Sequence, residues 1–158
     1  MIGVADRFYA AFAARDWRTM GSLYADEARF SDPVFVDLDA TEVRAMWRML
    51  ITRGTDLELD YRVRTETAES ATVHWTARYT FSQTGRKVVN EIDAELTLRD
   101  GAIVRHLDRF DFHRWARQAL GAPGWLLGWT PFFRSKLQAR ARAGLRQFMQ
   151  RLEKDPAP

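Results

Sequence analysis

Cysteine is absent from the 158 residues, which excludes a disulfide framework and any thiolate metal site. Histidine occurs only three times, at His74, His106 and His113. Their predicted strand faces or elements differ, and no H-E-x-x-H or clustered spacing occurs, so no metal site is expected. No glycine-rich phosphate motif is present. Neither "AESA" nor "QTGR" reads as a nucleophile elbow or phosphate loop, so no cofactor is expected. No segment approaches the ~18 apolar residues of a membrane span. The opening stretch, "MIGVADRFYAAFAARD", is broken by acids and arginines and does not read as a signal peptide. The expectation is a soluble cytoplasmic protein.

What is present describes a folded domain. Apolar residues make up 46% of the chain and the aromatics number twenty, which excludes a disordered chain. The length fits one domain with a real core. The net charge of +3 is unevenly spread. Residues 134–158 hold seven Lys and Arg against Glu153 and Asp155, a net of +5, leaving about −2 for the rest.

Periodicity predicts the elements. Val4, Phe8, Ala11 and Phe12 make one apolar face of a helix over 2–14. Asp16 is a cap for a second helix, in which Trp17, Met20 and Tyr24 share a face. Pro33 pushes Asp32 into an extended conformation. Thr41 reads as the N-cap of a third helix with a stripe of Val43, Met46, Trp47, Leu50 and Ile51, ending near Gly54. The period then changes to two. Alternation predicts strands over 57–67, 72–81, 87–98 and 102–112, joined by tight turns at "SQTG" and "RDG". This is an antiparallel sheet with one covered face. The Gly/Pro-rich "GAPGWLLGWTP" (121–131) reads as an irregular connector. A final helix is predicted over 132–152, with Leu137, Ala141, Leu145, Phe148, Met149 and Leu152 on one stripe. The plan is α+β.

Two stretches, "LYADEARFSDPVF" (23–35) and "GAIVRHLDRFD" (101–111), carry a resemblance. With the element order, they make the chain similar to the nuclear transport factor 2-like superfamily, in its SnoaL-like and ketosteroid-isomerase-like branch. The resemblance covers roughly residues 2–112. It implies a cone-shaped, strongly curved antiparallel sheet packed against three N-terminal helices, with a deep pocket between them. Residues 1–112 are thus expected to form this domain, and 113–158 a C-terminal helical extension. The resemblance also implies a homodimer. Members include isomerases, cyclases, hydrolases, dehydratases and proteins that only bind, so the fold does not name the function.

The resemblance offers two groups of candidate catalytic residues. In ketosteroid-isomerase-like enzymes, an Asp in a motif like "SDP" is the general base, beside an oxyanion hole built from a Tyr and a protonated Asp. Asp32 matches the base. Phe8 stands at the Tyr position, with Tyr9 about 100° around the helix; the Asp position falls at Ala94 or Asp93, depending on how the "RDG" turn aligns, and alternation puts Asp93 on the polar face and Ala94 towards the pocket. Asp32 has a second reading as a turn former. On the last strand, alternation places Val104, His106, Asp108, Phe110 and Phe112 inward, and Ile103, Arg105, Leu107, Arg109 and Asp111 outward. His106 and Asp108 resemble the H-x-D arrangement of SnoaL-like polyketide cyclases, in which the Asp is the base. They also read as a buried structural pair. A bulge in "DRFDF" is the feature that could swap the faces.

Phe8, Phe12, Trp47, Trp75, Tyr79 and Phe110 are expected to line or fill the pocket. The implied ligand is a small apolar molecule. The expected function is a SnoaL-like small-molecule-binding domain whose Asp/His group serves isomerisation, cyclisation or a related proton transfer. The alternative is a non-catalytic ligand-binding or interaction module. The basic C-terminal segment reads as a docked helix with a solvated Arg face, as a dimerisation helix, or as a peripheral membrane contact. Nucleic acid is not an expected partner: the charge is modest and no binding motif accompanies it.

Overall fold

A computed structural model of the chain describes residues 1–155. Its elements run α1 (Val4–Ala13), α2 (Trp17–Ser22), β1 (Tyr24–Ser31), α3 (Ala40–Arg53), β2 (Glu58–Glu66), β3 (Ser70–Phe81), β4 (Arg86–Arg99), β5 (Ala102–Arg109), α4 (Phe112–Leu120), α5 (Ala122–Leu127) and α6 (Pro131–Lys154). The architecture is α+β, a curved five-stranded sheet against helices. Strand order is β1-β5-β4-β3-β2. β2 to β5 form an antiparallel meander, and β1 runs parallel to β5.

Strand β1 corrects the expected order of three helices followed by a sheet. Tyr24, assigned to the second helix, begins a strand. That helix ends at Ser22 after Asp16 caps it through a bond from the Thr19 amide (3.1 Å). Residues 25–29 (Ala, Asp, Glu, Ala, Arg) are poor strand formers, and the strand exists because β5 offers it a free edge. At α3 the N-cap is Asp39, not Thr41. Asp39 accepts from the Glu42 amide (2.8 Å) while the Glu42 side chain accepts from the Asp39 amide (3.1 Å). This reciprocal box satisfies two orphan donors that a cap at Thr41 could not reach.

The predicted alternation holds in β2, β3 and β4. Ala71, Val73, Trp75 and Ala77 of β3 are buried, as are Val88, Asn90, Ile92, Ala94, Leu96 and Leu98 of β4. The β4–β5 turn has positive φ at both Asp100 (51°) and Gly101 (75°), the geometry that Asp-Gly suits. In β5 the irregularity lies upstream of "DRFDF". Ile103 pairs with Leu98 and Arg105 with Thr97, so Val104 is an extra residue. This bulge turns Ile103 inward, where it is fully buried, against the expectation that it faces out with Arg105. The strand also ends earlier than predicted. Asp111 caps α4 through the Arg114 amide (3.0 Å), and Phe112 begins that helix, which spans the expected boundary at 112/113.

The concave face of the sheet, α1 and α3 enclose one core, rich in T-shaped aromatic pairs such as Phe8–Tyr24, Phe8–Trp47 and Phe12–Trp75. A smaller core of Val88, Phe112, Trp115, Ala116 and Ala119 lies beneath α4. The expected irregular connector contains the short helix α5. Helix α6 returns to α3 and buries Leu145 completely. No described helix is long and apolar enough to cross a membrane.

Because Leu145 is the single buried residue of a 24-residue helix, Leu145→Ala is expected to cost about 2–4 kcal/mol in denaturant unfolding. A cost under about 0.5 kcal/mol would show that α6 is not docked.

Candidate functional site

A cavity of about 310 Å³ opens between the sheet, α3 and α6. Its apolar wall includes Phe12, Trp47, Trp75, Phe110, Trp115 and Leu137. The exposed residues Arg53, Ser82, Gln83 and Arg140 stand at its rim. Two carboxyl groups, Asp32 and Asp108, reach it from opposite sides of the chain order. Of the six aromatics expected in the wall, five line it. Phe8 does not. It is fully buried one layer deeper, edge-on to Tyr9, Tyr24, Trp47 and His106. It lies on the inward helix face as the pattern implied, but Trp47 and Phe12 stand between it and the opening. Ala94 is buried yet also stays out of the wall.

Asp108 stands on β5 at the end of a hydrogen-bonded chain. Trp47 Nε1–H donates to the Tyr24 hydroxyl (3.0 Å), Tyr24 bonds His106 Nδ1 (2.7 Å), and His106 Nε2 bonds Asp108 Oδ1 (3.0 Å). An indole can only donate, so one arrangement satisfies every group. Tyr24 O–H donates to Nδ1, and Nε2–H donates to the carboxylate. All four residues are buried. Burial holds the Tyr24 phenol well above its ordinary pKa, which keeps it a donor. His106 therefore does not project into the cavity beside Asp108, as alternation suggested. Both its nitrogens are taken, and it lies behind the acid as a positioning residue. Asp108 Oδ2 makes no hydrogen bond among the described residues, and the side chain lines the cavity.

Asp32 lies in the loop between β1 and α3. Its Oδ1 accepts from the Val34 (2.7 Å) and Phe35 (2.6 Å) amides, and its own amide donates to Phe35 O (2.8 Å). This is the Asx turn that one reading predicted. It does not exhaust the residue, because Oδ2 makes no bond among the described residues and the side chain lines the cavity. Helix α6 clamps the loop from outside. Gln138 donates to Pro33 O (3.0 Å) and Arg142 to Val36 O (3.1 Å). Burial pushes the Asp32 carboxyl up to about 7, against the two amide bonds and Arg134, which lower it, and with Asp108, whose charge adds to the rise.

Two polar donors complete the wall. Tyr79 accepts from Trp115 Nε1 (2.7 Å), which leaves its own proton free. Burial, with the nearby Asp32, raises this phenol to about 12, so it is a neutral donor at physiological pH. Asn90 is nearly buried, lines the cavity and makes no side-chain hydrogen bond among the described residues. Sequence reasoning placed Tyr79 as an aromatic wall only and passed over Asn90. The signal was there, since Asn90 is the sole polar side chain in the inward row of β4. Tyr24 and Trp115 were missed because one was read as helical and the other lies beyond the predicted sheet. Among the described residues no group of three or more His, Asp or Glu comes together as a metal site. His74 instead bonds Asp93 on the convex side (2.9 Å).

Comparison with known proteins bears on the fold and family. A family model for the SnoaL-like domain matches residues 5–106. No curated protein matches the chain. Among solved structures, a nuclear transport factor 2-like protein of unknown function from Burkholderia pseudomallei is similar at 22% identity and TM-score 0.65, over 74% of this chain and 95% of that one. A candidate polyketide cyclase from Silicibacter shares 19% identity with TM-score 0.64, covering 73% and 92%. A protein of ketosteroid isomerase-like fold from Catenulispora acidiphila, solved with trimethylamine, shares 13% with TM-score 0.63, covering 81% and 97%.

Two outcomes follow from the site's hydrogen bonds and charges. Tyr24→Phe strands both Trp47 Nε1 and His106 Nδ1 and is expected to cost about 1–3 kcal/mol in denaturant unfolding. For Asp32, the folded carboxyl holds its proton to about pH 7, whereas its ordinary value is 3.8. The folded state thus binds more protons than the unfolded one across that window. Stability is highest below it and falls as pH rises through it, by up to roughly 4 kcal/mol. Asp32→Asn should flatten this slope in unfolding measured from pH 4 to pH 8. An unchanged slope would assign it to another group.

Proposed function

This chain belongs to the SnoaL-like domain family of the nuclear transport factor 2-like superfamily, and from that premise we propose that it moves a proton on a small, largely apolar carbonyl compound. The observation that supports this most is the pair of carboxyls, Asp32 and Asp108, each with one oxygen tied down and one free, on one open apolar cavity. Asp32 is the base. A carboxyl raised to about 7 takes up and returns a proton at neutral pH with little driving-force penalty. Burial is the main source of that proton affinity; the charge of Asp108 adds to it, and Asp108 presents a second acceptor to the ligand. His106 holds Asp108 in place rather than touching the ligand.

Removing a proton next to a carbonyl develops charge on the carbonyl oxygen, which needs donors waiting for it. Phe8 and Ala94 cannot supply them. The free Tyr79 O–H and the Asn90 amide can, and both face the cavity that the two acids share. This is the step common to isomerisation and aldol-type cyclisation, the activities in the family's range. A second reading, a binding module without turnover, draws support from the Asx turn and the His106–Asp108 bond, which also make structural sense of both acids.

The two readings separate in a hydrogen-exchange assay. 2-Tetralone, an apolar bicyclic ketone with acidic α-hydrogens, is incubated with the protein in D2O and followed by proton NMR. Proton transfer predicts faster exchange of the α-hydrogens, rising with pH through about 7 as Asp32 loses its proton. Asp32→Asn should lower the rate on the order of 10²-fold or more. Tyr79→Phe should lower it about 10-fold or more with binding retained. Binding of the ketone without enhanced exchange would favour the second reading.

A further inference from the structure

Helix α5 is amphipathic in the reverse of the usual sense. The side packed on α4 carries glycine. A side chain at Gly124 would collide with the Ala116 carbonyl, and one at Gly128 would crowd the Gly124 carbonyl and Ala116 Cβ. Both glycines are buried. The large apolar residues point the other way. Trp125, Leu126, Leu127, Trp129 and Phe132 are between half and three-quarters exposed. Ten large apolar residues are exposed among the described residues, and half of them fall in these eight positions. Gly124 lets α5 sit tightly on α4, so the apolar tip is held out from the protein rather than left loose. Buried chain does not explain it, and scattered surface residues do not concentrate in this way.

The charge around the tip identifies what it meets. From Phe112 to Leu152 the chain has no Asp or Glu and eight Arg or Lys. Lys136 holds its ammonium over the exposed Phe132 ring (5.6 Å), and Arg134 its guanidinium over Phe112 (5.2 Å). Neither forms a salt bridge among the described residues, and Arg134 acts on the Asp32 carboxyl only at longer range. Long basic side chains beside exposed Trp and Phe are the composition of an interfacial anchor, with rings at the headgroup level and cations at the anionic surface. A second copy of the chain fits poorly, since it would bring two acid-free segments together.

We infer that the α5 tip and the first turns of α6 form a docking surface for an anionic lipid bilayer, entered by Trp125, Leu126, Trp129 and Phe132. Helix α6 links this surface to the cavity. Phe132 lies at the tip, and Leu137, five residues and about 7.5 Å along the axis, lines the cavity wall. Docking therefore brings one wall of an apolar cavity close to the phase where apolar molecules dissolve. Docking by this surface does not depend on any chemistry in the cavity.

The test is flotation of the full chain with vesicles of phosphatidylcholine alone or mixed 3:1 with phosphatidylglycerol. The chain should float with the anionic vesicles and much less with the neutral ones, and salt should weaken binding. The triple variant Trp125→Ser/Trp129→Ser/Phe132→Ser should lower partitioning by tenfold or more. Lys136→Glu should lower binding to anionic vesicles about fivefold or more, with binding to neutral ones unchanged. Circular dichroism checks that each variant keeps the parent's fold. Absence of binding to anionic vesicles, or binding unaffected by the triple variant, overturns the inference. So does a lipid-free dimer that the triple variant dissociates, because the tip is then a self-interface.

Discussion

The hydrogen-bonded chain from Trp47 through Tyr24 and His106 to Asp108 links three elements that are far apart in sequence. Trp47 comes from α3, Tyr24 from β1, and His106 and Asp108 from β5. A carboxylate set among Phe, Trp and Ile side chains is costly unless its charge meets a fixed donor. His106 is that donor, and His106 is fixed only because Tyr24 occupies its other nitrogen. The helix layer and the parallel edge strand are thus held in register by the same bonds that hold the acid. Removing any link leaves a buried polar atom without a partner, which costs more than the bond itself is worth.

The second acid depends on the C-terminal helix. Asp32 shapes its own turn, but Gln138 and Arg142 of α6 pin that turn from outside, and Leu137, Ala141 and Gly144 complete the cavity opposite the sheet. The family match ends at residue 106. The segment after it is structurally part of the cavity, closing one side while Arg53 and Arg140 remain at the rim.

Much of this was legible in the chain, because a curved sheet with one covered face writes its geometry as period-two alternation. The inward rows of β3 and β4 follow from it directly, as do five of six cavity aromatics and the inward placement of His106 and Asp108. What alternation cannot express is depth. Phe8 and His106 face inward yet stop short of the cavity, since their neighbours Trp47 and Asp108 are interposed. Nor can it express pairing with a distant edge. β1 is made of residues that prefer other conformations and is ordered by β5, eighty residues on. The bulge at Val104 has no local sequence mark, and it reverses Ile103. Asp39 and Thr41 are both competent caps, and only the reach of Glu42 back to the Asp39 amide decides between them.

The central claim is that Asp32 exchanges its proton near neutral pH within a cavity it shares with Asp108. Carbon-13 NMR titration of the aspartate side-chain carboxyls, with the Asp32 signal assigned by its loss in Asp32→Asn, measures this directly. The structure predicts a midpoint near 7 for that signal. A midpoint at the ordinary aspartate value of 3.8 would contradict it and leave Asp32 as a turn former alone.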